Sequence, residues 1–285
     1  MIKRRSLLTL LPATSLFLAL RANGETTVAS TKTKPFGIAV QCWTFQKFTV
    51  LESIEMAAAA GADSVELFPG QTLGGAHGDA KFNPSIDDAM LASVTDQLAK
   101  HQIRAVNYGV TNVPEKEAGA RPIFELAKKL GLYGITTEAI GSIDILEALA
   151  AEYDIKVCFH NHPSPTPLWN PDTISEAIKG RHANLGFCAD LGHWAASGLD
   201  PLEVIKKIAP RVHAFHMKDR ATIGERTPDL PFGTGIIQLP EILDACRAEG
   251  FAGNVSIEYE RNWQTNLVEV AQCAGYLRAY LDVRG

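Results

Sequence analysis

Four short apolar segments in the second half of the chain each end in a side chain that can bind a divalent metal. They are residues 134–138, 185–190, 212–216 and 255–258. Each has the length and the apolar or β-branched composition of a buried parallel strand. If all four lie in one parallel barrel, their carboxyl ends meet on one face. We therefore predict one metal site, formed by Glu138, Asp190, His216 and Glu258.

Three carboxylates that lie close together need a cation to stay ionised. An oxygen-rich set with one imidazole suits Mn²⁺, Mg²⁺, Co²⁺ or Zn²⁺. For any one of these residues taken alone, capping of the next helix explains its position better than metal binding. The coincidence of four such residues at four strand ends favours the metal.

Histidines cluster at three of the predicted strand ends. His160 and His162 are two apart, so both can point to the same face of a strand. His193 follows Asp190 by three residues, whereas His213 is out of phase with His216 and is read as a core or supporting residue. A neutral imidazole can remove a proton at neutral pH.

Lys218 lies two residues after His216, where it can stabilise a developing oxyanion. A salt bridge to Asp219 or Glu260 is the alternative role. The predicted catalytic residues are therefore His160, His162, His193 and Lys218. Polar and aromatic residues near strand ends are predicted to bind substrate, with core packing as the alternative for some of them: Trp43, Asn161, Trp169 and Trp194.

Eight strand-like segments alternate with eight helix-like segments. The strands are predicted at 37–43, 64–68, 104–110, 134–140, 156–161, 184–190, 211–218 and 254–259. The helices are predicted at 50–60, 86–101, 123–130, 143–153, 171–179, 201–208, 239–249 and 267–281. This rhythm predicts an α/β fold with a single (β/α)₈ TIM barrel. A doubly wound open sheet would give a similar string, but no GxGxxG follows the first strand.

The first 24 residues are typical of an export signal. Lys3, Arg4 and Arg5 precede an apolar stretch, and the Arg4-Arg5 pair resembles a twin-arginine signal. We predict a signal peptide at 1–24, a linker at 25–34 and the barrel at 35–285. The protein is then expected in the periplasm or secreted, without stable membrane insertion after cleavage.

Composition excludes some partners. Residues 1–24 carry four cations and no acid, so a chain without them has a formal net charge of −9 instead of −5. That charge argues against nucleic acid as a partner. The five cysteines show no CxxC spacing and imply neither a zinc ribbon nor a disulfide framework. A homo-oligomer stays open.

The motifs FHNHP (159–163), ADLGHWAASGLDP (189–201), RVHAFHMKD (211–219), PFGTG (231–235) and SIEYE (256–260) resemble the xylose isomerase-like TIM barrels, known as sugar phosphate isomerases/epimerases. In that family Glu, Asp, His and Glu hold a divalent metal, which Asp190, His216 and Glu258 match. The family's strand-five Glu is replaced by His160. The chain resembles a branch with a strand-five HNH motif, in which Glu138 supplies the ligand and strand-five histidines face the substrate.

The resemblance implies an enzyme that removes a proton next to a metal-bound carbonyl of a sugar. The first hypothesis is a sugar isomerase or epimerase. The second is a lyase or hydratase that cleaves 3-keto-glycosides, and the third is a barrel that binds a sugar without turnover. The expected substrate is a small neutral or weakly acidic sugar, because the motifs lack a cluster of Arg and Lys for a phosphate.

Overall fold

The computed structural model describes residues 36–284, so the predicted signal peptide and linker lie outside the described residues. Eight strands follow one another along the chain. They are β1 (Gly37–Gln41), β2 (Ser64–Leu67), β3 (Arg104–Thr111), β4 (Gly134–Thr137), β5 (Lys156–His160), β6 (Leu185–Asp190), β7 (Val212–Met217) and β8 (Asn254–Ile257). Each pairs in parallel with the next, and β8 pairs with β1, which closes the barrel. The predicted TIM barrel is confirmed.

Helices connect the strands on the outside of the barrel. They are α1 (Val50–Ala59), α2 (Asp88–Lys100), α3 (Glu117–Lys129), α4 (Ile143–Tyr153), α5 (Pro171–Ile178), α6 (Leu191–Ala196), α7 (Pro201–Ile208), α8 (Leu239–Ala248) and α9 (Leu267–Arg284). Short 3₁₀ turns lie at Cys42–Phe45, Gly75–His77, Ile140–Ser142 and Ala209–Arg211. Among the described residues, no helix is both long and apolar enough to cross a membrane.

Local start signals place several helices where the sequence predicts them. The Asn170 side chain caps α5 by accepting the N–H of Asp172 at 3.0 Å, and Asp200 caps α7 by accepting the N–H of Leu202 at 2.9 Å. In both helices proline occupies the first turn, where its missing N–H costs nothing.

Two helices differ from the sequence prediction. Helix α3 begins at Glu117, earlier than the expected residue 123, and contains Pro122. Proline normally breaks a helix interior, so the sequence pattern predicts only the part of the helix that follows Pro122. Helix α6 was not predicted, because its six residues directly continue β6. Its N-cap is Asp190, whose carboxylate accepts the N–H of His193 at 2.8 Å.

A long loop at residues 220–235, the seventh loop, follows β7 at the carboxyl end of the barrel. The two ends of this loop are joined by Asp219, whose carboxylate accepts four backbone N–H groups. Their donors are Arg220 at 2.9 Å, Gly233 at 3.0 Å, Gly235 at 2.9 Å and Ile237 at 3.2 Å. A Cβ at position 235 would lie 2.2 Å from an oxygen of Asp219, so this close approach requires glycine.

Gly235→Ala is therefore expected to destabilise the protein by about 1–3 kcal/mol, because the new methyl group overpacks against Asp219. The matched control is Gly275→Ala in α9, where nothing lies within 4 Å of the added Cβ. That control should stabilise by about 0.5–1 kcal/mol through helix propensity. Urea unfolding of both variants measures the difference, and equal stabilities would contradict the role of Gly235.

Candidate active site

A cavity of about 400 Å³ opens at the carboxyl ends of the strands. Its lining includes His160, His162, His193, Glu258 and Glu260, with Trp43 at its edge. Active sites of TIM barrels lie on this face because the loops that follow the strands converge there. The predicted catalytic histidines are therefore brought together in one cavity.

Four side chains converge at the ends of four neighbouring strands. His160, Asp190, His216 and Glu258 each offer one atom, and these atoms lie within 4.8 Å of one another. All four side chains are buried. They come from β5, β6 and β7 and from the residue after β8, so the barrel register sets their spacing.

Two nitrogens in this group are buried without a hydrogen-bond partner: Nε2 of His160 and Nδ1 of His216. The first lies 3.6 Å from Asp190 Oδ2, and the second lies 3.3 Å from Glu258 Oε2. Buried polar atoms are nearly always paired, so two unpaired nitrogens beside two carboxylates point to a shared cation. Two imidazoles and two carboxylates fit Mn²⁺, Co²⁺ or Zn²⁺ better than Mg²⁺, which prefers oxygen.

The opposite edge of each imidazole is held by another glutamate. His160 Nδ1 lies 2.8 Å from Glu138 Oε1, and His216 Nε2 lies 3.1 Å from Glu66 Oε1. A carboxylate accepts only, so each of these nitrogens carries the proton and the other keeps its lone pair. This arrangement is common behind metal-binding histidines, where it fixes the tautomer and the ring orientation.

Glu138 belongs to a second group of possible metal ligands, with His160 and His162, whose atoms also lie within 4.8 Å of one another. The sequence predicts Glu138 as a metal ligand and His160 as a substrate contact. In the structure, Glu138 contacts Nδ1 of both His160 and His162. Burial would raise its pKa, but these two contacts outweigh burial and lower the pKa of Glu138 to about 2. Glu138 is therefore an ionised group that holds both rings and that can also bind a cation.

Lys218 is fully buried below the cavity. Its ammonium lies 2.6 Å from Asp190 Oδ2, 2.5 Å from Glu258 Oε2 and 3.4 Å from Glu260 Oε2. Burial alone would lower its pKa, but the carboxylates outweigh burial and raise the pKa of Lys218 well above its usual value. Lys218 thus neutralises two carboxylates of the four-residue group, and a bound cation would share the same oxygens.

His162 and His193 stack side by side, with ring centroids 4.9 Å apart and planes at 25°. His193 Nδ1 donates to the carbonyl of Asn161 at 2.9 Å, so its Nε2 is an acceptor. Burial lowers the pKa of His193 to about 3, which keeps the ring neutral. The His162 side chain is 46% exposed and its Nδ1 is held by Glu138, so its Nε2 lone pair is free for the cavity.

Of the four predicted substrate-binding residues, one lines the cavity and the other three do not. Trp43 lines the cavity. Asn161 uses both amide atoms on the backbone of Asp190, at 3.0 Å each, and so ties β5 to β6. Trp194 is fully buried in α6, and Trp169 is half-buried outside the cavity lining.

Glu66, a buried carboxylate in β2, belongs to the site but was not predicted from the sequence. Its oxygens accept hydrogen bonds from Thr136 at 2.6 Å and Ser256 at 2.7 Å, besides the His216 contact. The available signal was a glutamate inside the apolar Ser64–Leu67 segment. A charge in a fully buried strand needs partners, so it marks a functional or polar interior.

The closed parallel barrel and the buried His-Asp-His-Glu group define a TIM barrel suited to metal-assisted chemistry at the carboxyl face. Residues 54–280 match the model of the xylose isomerase-like TIM barrel family, and the chain belongs to that family.

The chain is 26% identical over 233 residues to the rhizopine catabolism protein MocC of Rhizobium meliloti, covering 72% of this chain and 68% of that protein. It is 25% identical over 125 residues to 3-dehydroshikimate dehydratase of Bacillus anthracis, covering 39% and 45%. A further match of 75 residues, 37% identical, joins it to inosose dehydratase of Clostridium perfringens and covers 26% and 25%. Enzymes that eliminate water therefore occur among the relatives.

Among solved structures, an uncharacterized protein from Parabacteroides distasonis matches with a TM-score of 0.70 at 27% identity, covering 86% of this chain and 99% of that one. A xylose isomerase-like TIM barrel protein from Mycobacterium smegmatis, in complex with magnesium, also has a TM-score of 0.70. Its identity is 15%, with 87% and 97% covered, so it shows the fold alone.

We predict that His160→Ala abolishes Mn²⁺ binding, whereas Glu138→Gln weakens it by about 10–100-fold, the usual effect of removing a supporting contact. Calorimetric titration of Mn²⁺ measures both, with His182→Ala at the other end of the barrel as the control. The affinity should also weaken as the pH falls. Burial alone would lower the pKa of His160, but Asp190 and Glu138 outweigh burial and raise it, so protons compete for its nitrogen. If His160→Ala binds Mn²⁺ normally and Glu138→Gln does not bind it, Glu138 is the metal ligand and His160 is not.

Proposed function

We propose that the protein catalyses β-elimination from a sugar-like ketone. A proton is removed from the carbon next to the carbonyl, and a leaving group departs from the carbon beyond it. The observation that carries this proposal is the Glu138–His162 pair, in which a carboxylate holds Nδ1 and a half-exposed imidazole presents Nε2 to the cavity. Such a pair is the usual arrangement of a histidine base.

His162 acts first as the base and then as the acid. Its Nε2 takes the proton, and the ionised Glu138 stabilises the imidazolium that forms. The same ring then protonates the departing oxygen. Because His162 carries the proton in both steps, the reaction needs no second acid. His193 can therefore stay neutral, and its Nε2 accepts a hydrogen bond from a substrate hydroxyl.

A divalent ion bound by His160, Asp190, His216 and Glu258 would supply Lewis-acid polarisation of the substrate carbonyl. Lys218 keeps Asp190 and Glu258 in place through its two short ion pairs. Because its ammonium is fully buried, we assign Lys218 a positioning role in place of the direct oxyanion contact expected from sequence.

Elimination is favoured over isomerisation by the dehydratase names of two relatives. The second candidate is the isomerase or epimerase first expected from sequence. It is favoured by Glu258, which lines the cavity and is a possible second proton carrier. However, Lys218 and His216 outweigh the effect of burial and lower the pKa of Glu258, so that this carboxylate is a weak base.

The substrate is proposed to be uncharged, because the cavity lining places Glu258 and Glu260 near the reacting groups. Among the described lining residues, Arg226 is the one lysine or arginine. Proteins usually bind a phosphate dianion with several cationic side chains or backbone N–H groups, and this lining supplies a single arginine.

His162→Gln is expected to lower kcat by about 10²–10⁴-fold with the metal retained, because the base is removed and no metal contact is lost. His182→Gln, outside the cavity lining, is the matched control. Proton NMR in D₂O of a keto-glycoside with the metal-loaded protein distinguishes the reactions. Release of the alcohol with a new alkene supports elimination, and deuterium incorporation with an intact glycoside supports isomerisation.

We also propose that the protein works outside the cytoplasm, on the basis of the Arg4-Arg5 pair and the apolar stretch after it. The expected result is a mature chain in the periplasmic fraction that begins near residue 25. Mass spectrometry of the fractionated native protein measures this. An intact Met1 in the cytosolic fraction would overturn the proposal.

A further inference from the structure

Trp43 is an exposed aromatic residue at the edge of the cavity. Its side chain follows β1 in the Cys42–Phe45 turn and is 39% exposed, although it lines a concave site. The other large apolar residues that are exposed in the described part of the chain are aliphatic. An indole left open in a cavity is available for contact with a ligand.

The indole is held rigidly. Its Nε1 donates to Glu260 Oε1 at 3.2 Å. Phe68 packs against it edge-to-face with ring centroids 5.2 Å apart, and Trp263 does so at 6.4 Å. Three contacts fix the ring before any ligand arrives, so little entropy is lost when a ligand packs on it. The cavity surface formed by Trp43, Phe68 and Glu260, with Trp263 packed against Trp43, is called the aromatic subsite.

The aromatic subsite adjoins the proposed proton-transfer residues through Glu260. One oxygen of Glu260 binds the indole N–H, and the other lies 3.9 Å from His193 Nε2. A carboxylate beside an aromatic face suits a sugar ring, since the face packs on its C–H groups and the carboxylate accepts from its hydroxyls. The cavity of about 400 Å³ has room for a second ring beyond the one that reacts.

We propose that the aromatic subsite binds the leaving group, and that this group is an uncharged second ring: a sugar or a phenol. This inference rests on the proposed elimination and makes the protein a lyase of keto-glycosides rather than a dehydratase. His162 takes the proton next to the carbonyl, and the C–H electron pair becomes the new C=C bond. The C–O bond to the second ring breaks, and the proton passes to that oxygen. The products are an unsaturated keto-sugar and a free alcohol, with no redox change.

The test compares a methyl keto-glucoside with a keto-disaccharide that reacts at the same ring. Wild-type protein should show kcat/KM at least tenfold higher for the disaccharide, about 1.4 kcal/mol. Trp43→Ala should reduce this ratio at least tenfold, whereas Trp43→Phe, which keeps an aromatic face, should retain most of it. Val268→Ala, an exposed position on α9, is the surface control and should leave both constants unchanged. A wild-type ratio near one, or an equal loss on both substrates in Trp43→Ala, would overturn the inference.

A binding measurement separates this inference from the proposed reaction. The unoxidised disaccharide and its methyl glucoside counterpart are titrated calorimetrically into metal-loaded wild type and Trp43→Ala. Preferential binding of the disaccharide that is lost in Trp43→Ala supports the subsite even if no alcohol is released, in which case the elimination alone fails. Equal binding of the two ligands by both proteins, together with alcohol release, overturns the subsite and leaves the elimination standing.

Discussion

Two carboxylates at the centre of the barrel face share one buried ammonium. Lys218 lies 2.6 Å from Asp190 and 2.5 Å from Glu258, and its side chain is fully enclosed. Removing one partner of such a buried pair typically costs about 3–5 kcal/mol, because the remaining charge has no water around it. The parallel barrel brings the ends of β6 and β8 together. The fold therefore needs the Lys218 ammonium to offset the repulsion between the two carboxylates, and the ammonium needs the carboxylates to stay charged while buried.

The same constraint orders the imidazoles. His160 lies between Glu138 on one edge and Asp190 on the other, and His216 lies between Glu66 and Glu258 in the same way. In each case the outer glutamate accepts a hydrogen bond from the ring N–H, and the inner carboxylate faces the ring nitrogen that carries no hydrogen. Carboxylates and imidazoles therefore alternate across the site, and the orientation of each imidazole is fixed by carboxylates from other strands.

The repeated strand and helix pattern was enough to predict the barrel, because buried parallel strands are apolar and their helices start at recognisable caps such as Asn170 and Asp200. The pattern also predicted that His160, His162, His193 and Asp190 lie on one face of the barrel. It did not determine which residue of the strand-four and strand-five pair turns toward Asp190. Glu138 and His160 directly follow Thr137 and Phe159, which are paired between β4 and β5, so both residues lie at the same level of the barrel. Glu66 was missed because its partners, Thr136 and Ser256, come from strands far away in sequence.

The seventh loop is held by Asp219, which accepts backbone N–H groups at both ends of the loop, and by the buried Arg220–Asp229 ion pair at 3.1 Å. The exposed positions of the loop, such as Glu225 and Arg226, take no part in these contacts, so their side chains are free to change without loss of the anchor. Arg226, on that stretch, lines the cavity. The residues that fix the backbone of the loop are thus different from the residue that lines the cavity. Barrels of this kind can therefore change the cavity-lining positions during evolution while the anchoring contacts stay the same.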